Sequence, residues 1–206
     1  MVYYNIETSD KRNTIFYYLK DFIPKSESEE LINWLNNMKD FIPSEGLESD
    51  VSRYQKWYQK DNKYFCDKWK KRFDKWKSFD YDSKMLSFQK NILKRVKELK
   101  LDLEIPNINS CLINKYRSGN DHIKFHRDTH LTFGRYPTII NISLGGSRIL
   151  SFKDREDLSK EPEYNFELEN GSLFIMSGSS QESFYHGINQ TNSKELRYSF
   201  TFREVI

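Results

Sequence analysis

From residue 111 to its end the chain is a series of short runs rich in β-branched and aromatic residues, each bounded by turn chemistry. CLINKYR (111–117), HIKFHRD (122–128), TIINISLGG (138–146) and SRILSFKD (147–154) come first. YNFELENG (164–171), SLFIMSG (172–178), FYHGINQ (184–190) and RYSFTFRE (197–204) follow. Ser118-Gly119-Asn120-Asp121, Gly145-Gly146 and Asn170-Gly171 supply the positive-φ positions and side-chain acceptors that reverse a chain. Eight short strands with little helix between them predict a double-sheet roll or sandwich. The last run limits the fold most. Alternation puts Arg197, Ser199, Thr201 and Arg203 on one face and Tyr198, Phe200 and Phe202 on the other. The aromatic face suits a cover of helices, and the arginine face a polar cavity between the sheets. Leu112, Asn114 and Tyr116 repeat the pattern on the first strand. An interior lined with Arg, Asn, Tyr and Thr suits an anion.

Residues 1–105 read as mostly helical and strongly charged, a support for the 106–206 barrel. No Gly/Ser linker separates the halves, so one continuous structure is expected. Ser26 and Glu29 form a capping box ahead of Leu31, Ile32, Leu35 and Met38, which predicts a helix over 26–38. A second helix starts near Asp82 or Ser83, with Leu86, Ile92, Leu93, Val96 and Leu99 as its apolar stripe. Its other face carries Lys90, Lys94, Lys97 and Lys100. Aromatic residues make up 16% of the 206, enough for a buried core despite 31% charged residues. No run of about 18 apolar residues is present, so no membrane span is expected. The opening MVYYNIETSDKRN lacks the apolar core of a secretory signal, and Cys66 and Cys111 lie in different segments. The expectation is an intracellular, non-secreted protein of cytoplasm or nucleus, without disulfides. No protein partner is implied and a monomer is expected.

His126 and Asp128 are two apart on a predicted strand and so share a face. Taken alone, H-x-D is common by chance, and more often a capping or solvated turn than a metal site. His186, which alone reads as a hydrogen-bonded histidine, lies on the seventh strand, beside the early strands of a jelly roll. Two imidazoles and one carboxylate form a facial triad for non-haem iron, with three coordination positions left open. Arg197 lies eleven residues after His186, and a guanidinium is the better partner for the distal carboxylate of a chelating 2-oxo acid.

INKYRSGNDHIKFHRD (113–128), ISLGGSRILSF (142–152), GSLFIMSGSSQESFYHGI (171–188) and RYSFTFR (197–203) together resemble the AlkB family of Fe(II)/2-oxoglutarate-dependent dioxygenases, in the family's order. YYLKDFIP and the helix at 26–38 resemble the family's N-terminal helix. The resemblance implies a double-stranded β-helix, the jelly-roll architecture. It implies Fe(II) held by His126, Asp128 and His186, with 2-oxoglutarate and O2 as cosubstrates. Arg197 and Arg203 would take the two ends of 2-oxoglutarate, Asn114 and Tyr116 would hydrogen-bond it, and Thr201 would line its pocket. The implied activity is oxidative N-demethylation of bases in DNA or RNA, single-stranded or flipped out. Where relatives acting on damaged bases often carry an acidic residue just after the metal aspartate, this chain has Thr129 and His130. His130 reads as a substrate or solvent group.

The segment 53–77 has ten Lys or Arg against three Asp, interleaved with eight aromatic residues. Cations neutralise phosphates and rings stack on bases. Trp69, Phe73 and Trp76 recur at one helical face and read as core. Tyr54, Trp57 and Tyr58 are the candidates for substrate contact, Trp57 first, in a stretch that the resemblance implies is a lid. Arg127 and Arg135 are candidates near the barrel mouth. Two other functions stay open: a protein or small-molecule hydroxylase on the same fold, and an inactive nucleic-acid binding module.

Overall fold

The structure, a computed structural model, describes residues 1–7, 13–44, 53–60 and 77–206. The Trp69, Phe73 and Trp76 face lies outside the described residues. The first half contains strands β1 (Val2–Glu7), β2 (Asn13–Leu19), β3 (Ile42–Pro43) and β4 (Tyr54–Gln59), besides helices α1 (Lys25–Asn36) and α2 (Ser83–Glu98). This corrects the mostly helical reading. Strand β2 hides because both of its faces are apolar. Phe16 and Tyr18 pack between the sheets, while Tyr17 and Ile15 pack toward the helices. A strand covered on both sides shows no alternation of polarity.

All eight runs of the second half are strands: β5 (Ser110–Tyr116), β6 (Ile123–His126), β7 (Ile139–Gly145), β8 (Arg148–Asp154), β9 (Tyr164–Leu168), β10 (Leu173–Gly178), β11 (Phe184–Ile188) and β12 (Arg197–Arg203). They divide into two antiparallel sheets. The large one runs β1-β2-β10-β7-β12-β5-β4-β3 and the small one β6-β11-β8-β9. Four of the eight runs enter each sheet, which makes the architecture a double-stranded β-helix with two extra strands on each flank of the large sheet.

Strand β12 is central, between β7 and β5, and all of its residues are buried. Its aromatic face meets the helices as expected: Phe88 lies 4.6 Å from Phe200 and 6.2 Å from Phe202, and Trp34 stacks on Phe200 at 6.2 Å between ring centroids. Between the sheets, Phe16, Phe152, Phe166, Phe174 and Phe184 form a second core, with Phe166 and Phe174 at 4.7 Å. Gly171 turns β9 into β10 at φ +77°, and a Cβ there would lie 2.4 Å from the Ile23 carbonyl oxygen. That approach lets Ile23 N–H donate to the Gly171 carbonyl at 2.9 Å and seats the segment before α1 against the sheet.

Two local expectations need correction. Helix α1 starts at Lys25 with Pro24 as its N-cap, at φ −57°, and no side chain caps it. Ser26 therefore sits inside the first turn and no capping box forms. Helix α2 is capped as read, Asp82 accepting from Met85 N–H at 2.8 Å. Its buried stripe, however, is Met85, Phe88, Ile92 and Val96, with Leu86 38% exposed. Leu93 and Leu99 are partly buried at its margin.

Candidate metal centre and anion-binding cavity

His126 on β6 and His186 on β11 are direct ladder partners, and their ring centroids are 4.4 Å apart. Gly187 permits this approach, since a Cβ there would meet the Ile123 oxygen and the Phe125 nitrogen at 3.0 Å. The spacing predicted a shared strand face for His126 and Asp128, but strand β6 ends at His126 and Asp128 lies beyond it. The chain instead turns toward α3 (His130–Phe133), and two contacts bring the carboxylate back. Asp128 N–H donates to Gln181 Oε1 at 2.9 Å, and Arg203 Nε donates to Asp128 Oδ2 at 2.6 Å. One ligand atom from each of His126, Asp128 and His186 then lies within 4.8 Å of the others.

The protonation states suit a cation. Burial, with His126 and Arg203 nearby, pushes His186 down to about 3 against the pull of Asp128. Burial also lowers His126, although Asp128 and the Lys124 carbonyl oppose it. Burial alone would raise the Asp128 carboxyl, but Arg203 and the two imidazoles outweigh it and hold it below the usual range. At neutral pH the cluster is two neutral imidazoles and one carboxylate, the form that gives electron pairs to a metal.

A cavity of about 440 Å³ opens over this cluster. His126, Asp128, His186, Asn114, Tyr116, Arg197, Thr201 and Arg203 all line it. Arg197 is 1% exposed, donates from Nη2 to Ser143 Oγ at 2.9 Å and lies 4.9 Å from the Tyr116 ring centroid. Among the described residues, its Nε and Nη1, Arg203 Nη1 and His186 Nδ1 are buried without a hydrogen-bond partner. A buried N–H without an acceptor is unfavourable by ~1–3 kcal/mol, and more when charged. Two such guanidiniums facing one cavity fit a dicarboxylate, and the adjacent N/O cluster fits the metal that it would chelate.

The candidates for substrate contact separate. Arg127 lines the cavity, its guanidinium over the Tyr185 ring at 5.3 Å. His130 is exposed at the start of α3, and Arg135 lies 3.7 Å from Glu182. Neither of these two is among the cavity's lining residues. Tyr58 is a correction: it is 2% exposed and packs in the core cluster that holds Met85 and Phe200, on the opposite face of the large sheet from the cavity. Tyr54 shares that outer face by alternation, with the Arg117 guanidinium 5.0 Å from its ring. Trp57 is on the inner face but 3% exposed, packed with Leu112 and Phe133, and it donates to Gln59 Oε1 at 3.1 Å. A ring enclosed on this scale offers no open face for stacking.

Several lining or supporting residues escaped the sequence reading. Asn141 donates to Thr201 Oγ1 at 3.1 Å, and Ser143 holds Arg197. Both are polar positions alternating within the apolar run IINISLG, a signal that was legible. Arg53 and Gln55 enter from the start of β4. Their signal was the alternation Arg53, Gln55, Trp57, Gln59, hidden by the density of charge around it.

Sequence and fold comparisons agree with this geometry. Human alpha-ketoglutarate-dependent dioxygenase alkB homolog 3 is 31% identical over 104 residues, 47% of this chain and 36% of that protein. The Bos taurus DNA oxidative demethylase ALKBH2 is 30% identical over 122 residues, 56% of this chain and 44% of that protein. The match therefore spans less than half the length of these relatives. The solved structure of OsALKBH1 shares the fold, with a TM-score of 0.63 over 92% of this chain and 97% of that one at 18% identity. The model of the 2OG-Fe(II) oxygenase superfamily matches residues 15–203, nearly the whole of both sheets. The chain thus belongs to the 2OG-Fe(II) oxygenase superfamily, whose members use Fe(II), 2-oxoglutarate and O2.

Proposed function

We propose that this protein removes N-alkyl groups, chiefly methyl, from bases in DNA or RNA by Fe(II)/2-oxoglutarate-dependent oxidation. One observation carries the reading: the His126, Asp128 and His186 ligand atoms, within 4.8 Å of one another, share a cavity with two buried, under-bonded guanidiniums. The nucleic-acid part is supported by the names of the relatives, AlkB homologues and DNA oxidative demethylases, and by the basic residues lining the cavity.

In this reading His126, Asp128 and His186 hold the metal. Arg203 orients the Asp128 carboxylate through its Nε and keeps it ionised, a supporting role that metal sites need as much as the ligands themselves. Its Nη1 stays available to a cosubstrate carboxylate. Arg197, fixed by Ser143 and Tyr116, presents Nε and Nη1 to the distal carboxylate. Asn114 and Thr201 add neutral hydrogen bonds, and the Phe152 ring of the inter-sheet core packs 5.9 Å from that of His186. When bound, iron and 2-oxoglutarate supply the oxidation of a methyl C–H bond by O2, giving succinate and CO2. The hydroxymethyl product then releases formaldehyde and the unmodified base. Arg127 at the cavity wall, with His130 and Arg135 beyond it, would meet the nucleic-acid backbone. Ferrous chemistry and the buried free thiol of Cys111 suit an intracellular, reducing setting.

Formaldehyde release from methylated oligonucleotides, dependent on iron and 2-oxoglutarate, tests the reading. His186→Ala should abolish release while oligonucleotide affinity stays within about threefold. Turnover confined to peptides or small molecules would replace the reading with a hydroxylase. Oligonucleotide binding without any 2-oxoglutarate turnover would replace it with a binding module.

A further inference from the structure

Among the described residues the two sheets end in four edge strands, β1 and β3 in the large sheet and β6 and β9 in the small one. An edge strand presents unpaired N–H and C=O groups to any other strand unless it is very short or carries Pro or charge. Three of the four edges are blunted in these ways. Strand β3 has two residues, one of them Pro43. Strand β6 has four and carries the exposed Lys124. Strand β9 has five and carries the exposed Glu167. Strand β1 differs from all of these. Its six residues, VYYNIE, run in unbroken register with β2, without Pro, Lys or Arg, and the one charged residue, Glu7, stands at the end. Val2, Tyr3 and Tyr4 are 44%, 44% and 40% exposed. Tyr3 stacks on Tyr17 at 4.5 Å, and Tyr4 lies 5.9 Å from Tyr164 and 5.6 Å from Phe166 at the neighbouring edge of the small sheet.

The strand itself indicates what fits it. Residues directly opposite in an antiparallel pair lie on one face of the sheet, so a two-fold axis normal to the sheet pairs positions of like parity. The centred register sets Tyr4 opposite Tyr4 of a second copy, Val2 opposite its Ile6 and Tyr3 opposite its Asn5. Apolar then meets apolar, the one polar neighbour is neutral, and the two Glu7 positions fall at opposite ends of the seam. A charged partner strand would find no countercharge anywhere within Val2–Ile6. We propose that β1 is a self-association edge, through which two copies pair antiparallel and join their eight-stranded sheets into one. The contact is isologous, as in most symmetric dimers. It leaves the cavity accessible: Arg197 and Arg203 lie on β12, four strands from β1, roughly 19 Å at ordinary strand spacing. The monomer expected from the sequence is, in this reading, the dilute form. The pairing is independent of the demethylase reading above.

Sedimentation velocity of the full chain over a concentration series provides the test. The protein should sediment as a monomer near ~1 µM and as a growing share of dimer up to ~200 µM, the behaviour of a contact smaller than the ~1,200 Å² of stable complexes. Tyr4→Lys sets two cations against each other across the axis, and Tyr4→Glu two carboxylates. Each should raise the dimer Kd at least ~5-fold, since like charges directly opposite destabilise a strand pair. An equimolar mixture of the two variants should recover the dimer, because opposite charges then face one another. Tyr4→Phe should dimerise as the unmutated protein does. Asn5→Lys, at an exposed position, should weaken the dimer without touching the core, and guards against a folding defect in the Tyr4 variants, which thermal unfolding would reveal. A monomer at every concentration overturns the proposal. So does a dimer that neither the Tyr4 charge variants nor Asn5→Lys weaken, which would place the contact on another surface. Folded Tyr4→Lys and Tyr4→Glu chains that stay monomeric when mixed would equally remove Tyr4 from the axis.

Discussion

Arg197 illustrates what a single buried side chain is asked to do. It is held from one side by Ser143 Oγ and from below by the Tyr116 ring, and two of its three nitrogens have no hydrogen-bond acceptor among the described residues. Lysine at this position would preserve the charge and lose the planar fork. Hydrogen bonds to charged groups are worth ~1.5–3 kcal/mol, so Arg197→Lys should raise the KM for 2-oxoglutarate by about tenfold or more, with a smaller effect on kcat. A KM within twofold of wild type would remove Arg197 from that role. The residue was legible because it alternates with apolar neighbours on a strand, as do Asn114 and Thr201. Gln181 was not, because its contribution is an acceptor for the Asp128 backbone, fifty-three residues away in sequence, and no local pattern encodes that contact.

At the scale of elements, strand β12 divides the molecule. One face fills the helix-covered core and the other furnishes the cavity. Phe200 is fully buried among Phe88, Trp34 and Phe202. Phe200→Ala should destabilise the fold by ~3–5 kcal/mol in urea unfolding, through lost burial and the void left behind. A change below 1 kcal/mol would mean that the helices do not pack on this face. The barrel strands were readable because turn residues punctuate them and because several show one apolar and one polar face. The added strands were not. Strand β2 is apolar on both faces, and β4 lies in a stretch whose lysines and aromatic residues read as a nucleic-acid surface. Tyr58 is the position where that reading needs correction: its ring belongs to the core beneath the helices.

At the scale of the whole molecule, the proposed metal cluster couples the two sheets. His126 and His186 come from the small sheet, while Arg203, which steadies Asp128, comes from the large one. A divalent ion that binds only the folded chain should therefore stabilise all of it. At a concentration 100 times its Kd the gain is ~2.7 kcal/mol. For a chain of this size that corresponds to a rise in Tm of roughly 5–10 °C. Redox-inert Mn2+ or Ni2+ with 2-oxoglutarate should produce that rise in differential scanning calorimetry, and His186→Ala should remove most of it. No rise in the unmutated protein would exclude the triad as a metal site.

The early strands also shield the later ones. β10 is paired on its outer side by β2, and β5 by β4, so neither of the two outer strands that the second half gives to the large sheet is an open edge. A fragment starting near residue 106 would bare both rows of amide groups at once. Such exposed rims recruit other chains. That fragment should precipitate on expression rather than yield a smaller oxygenase.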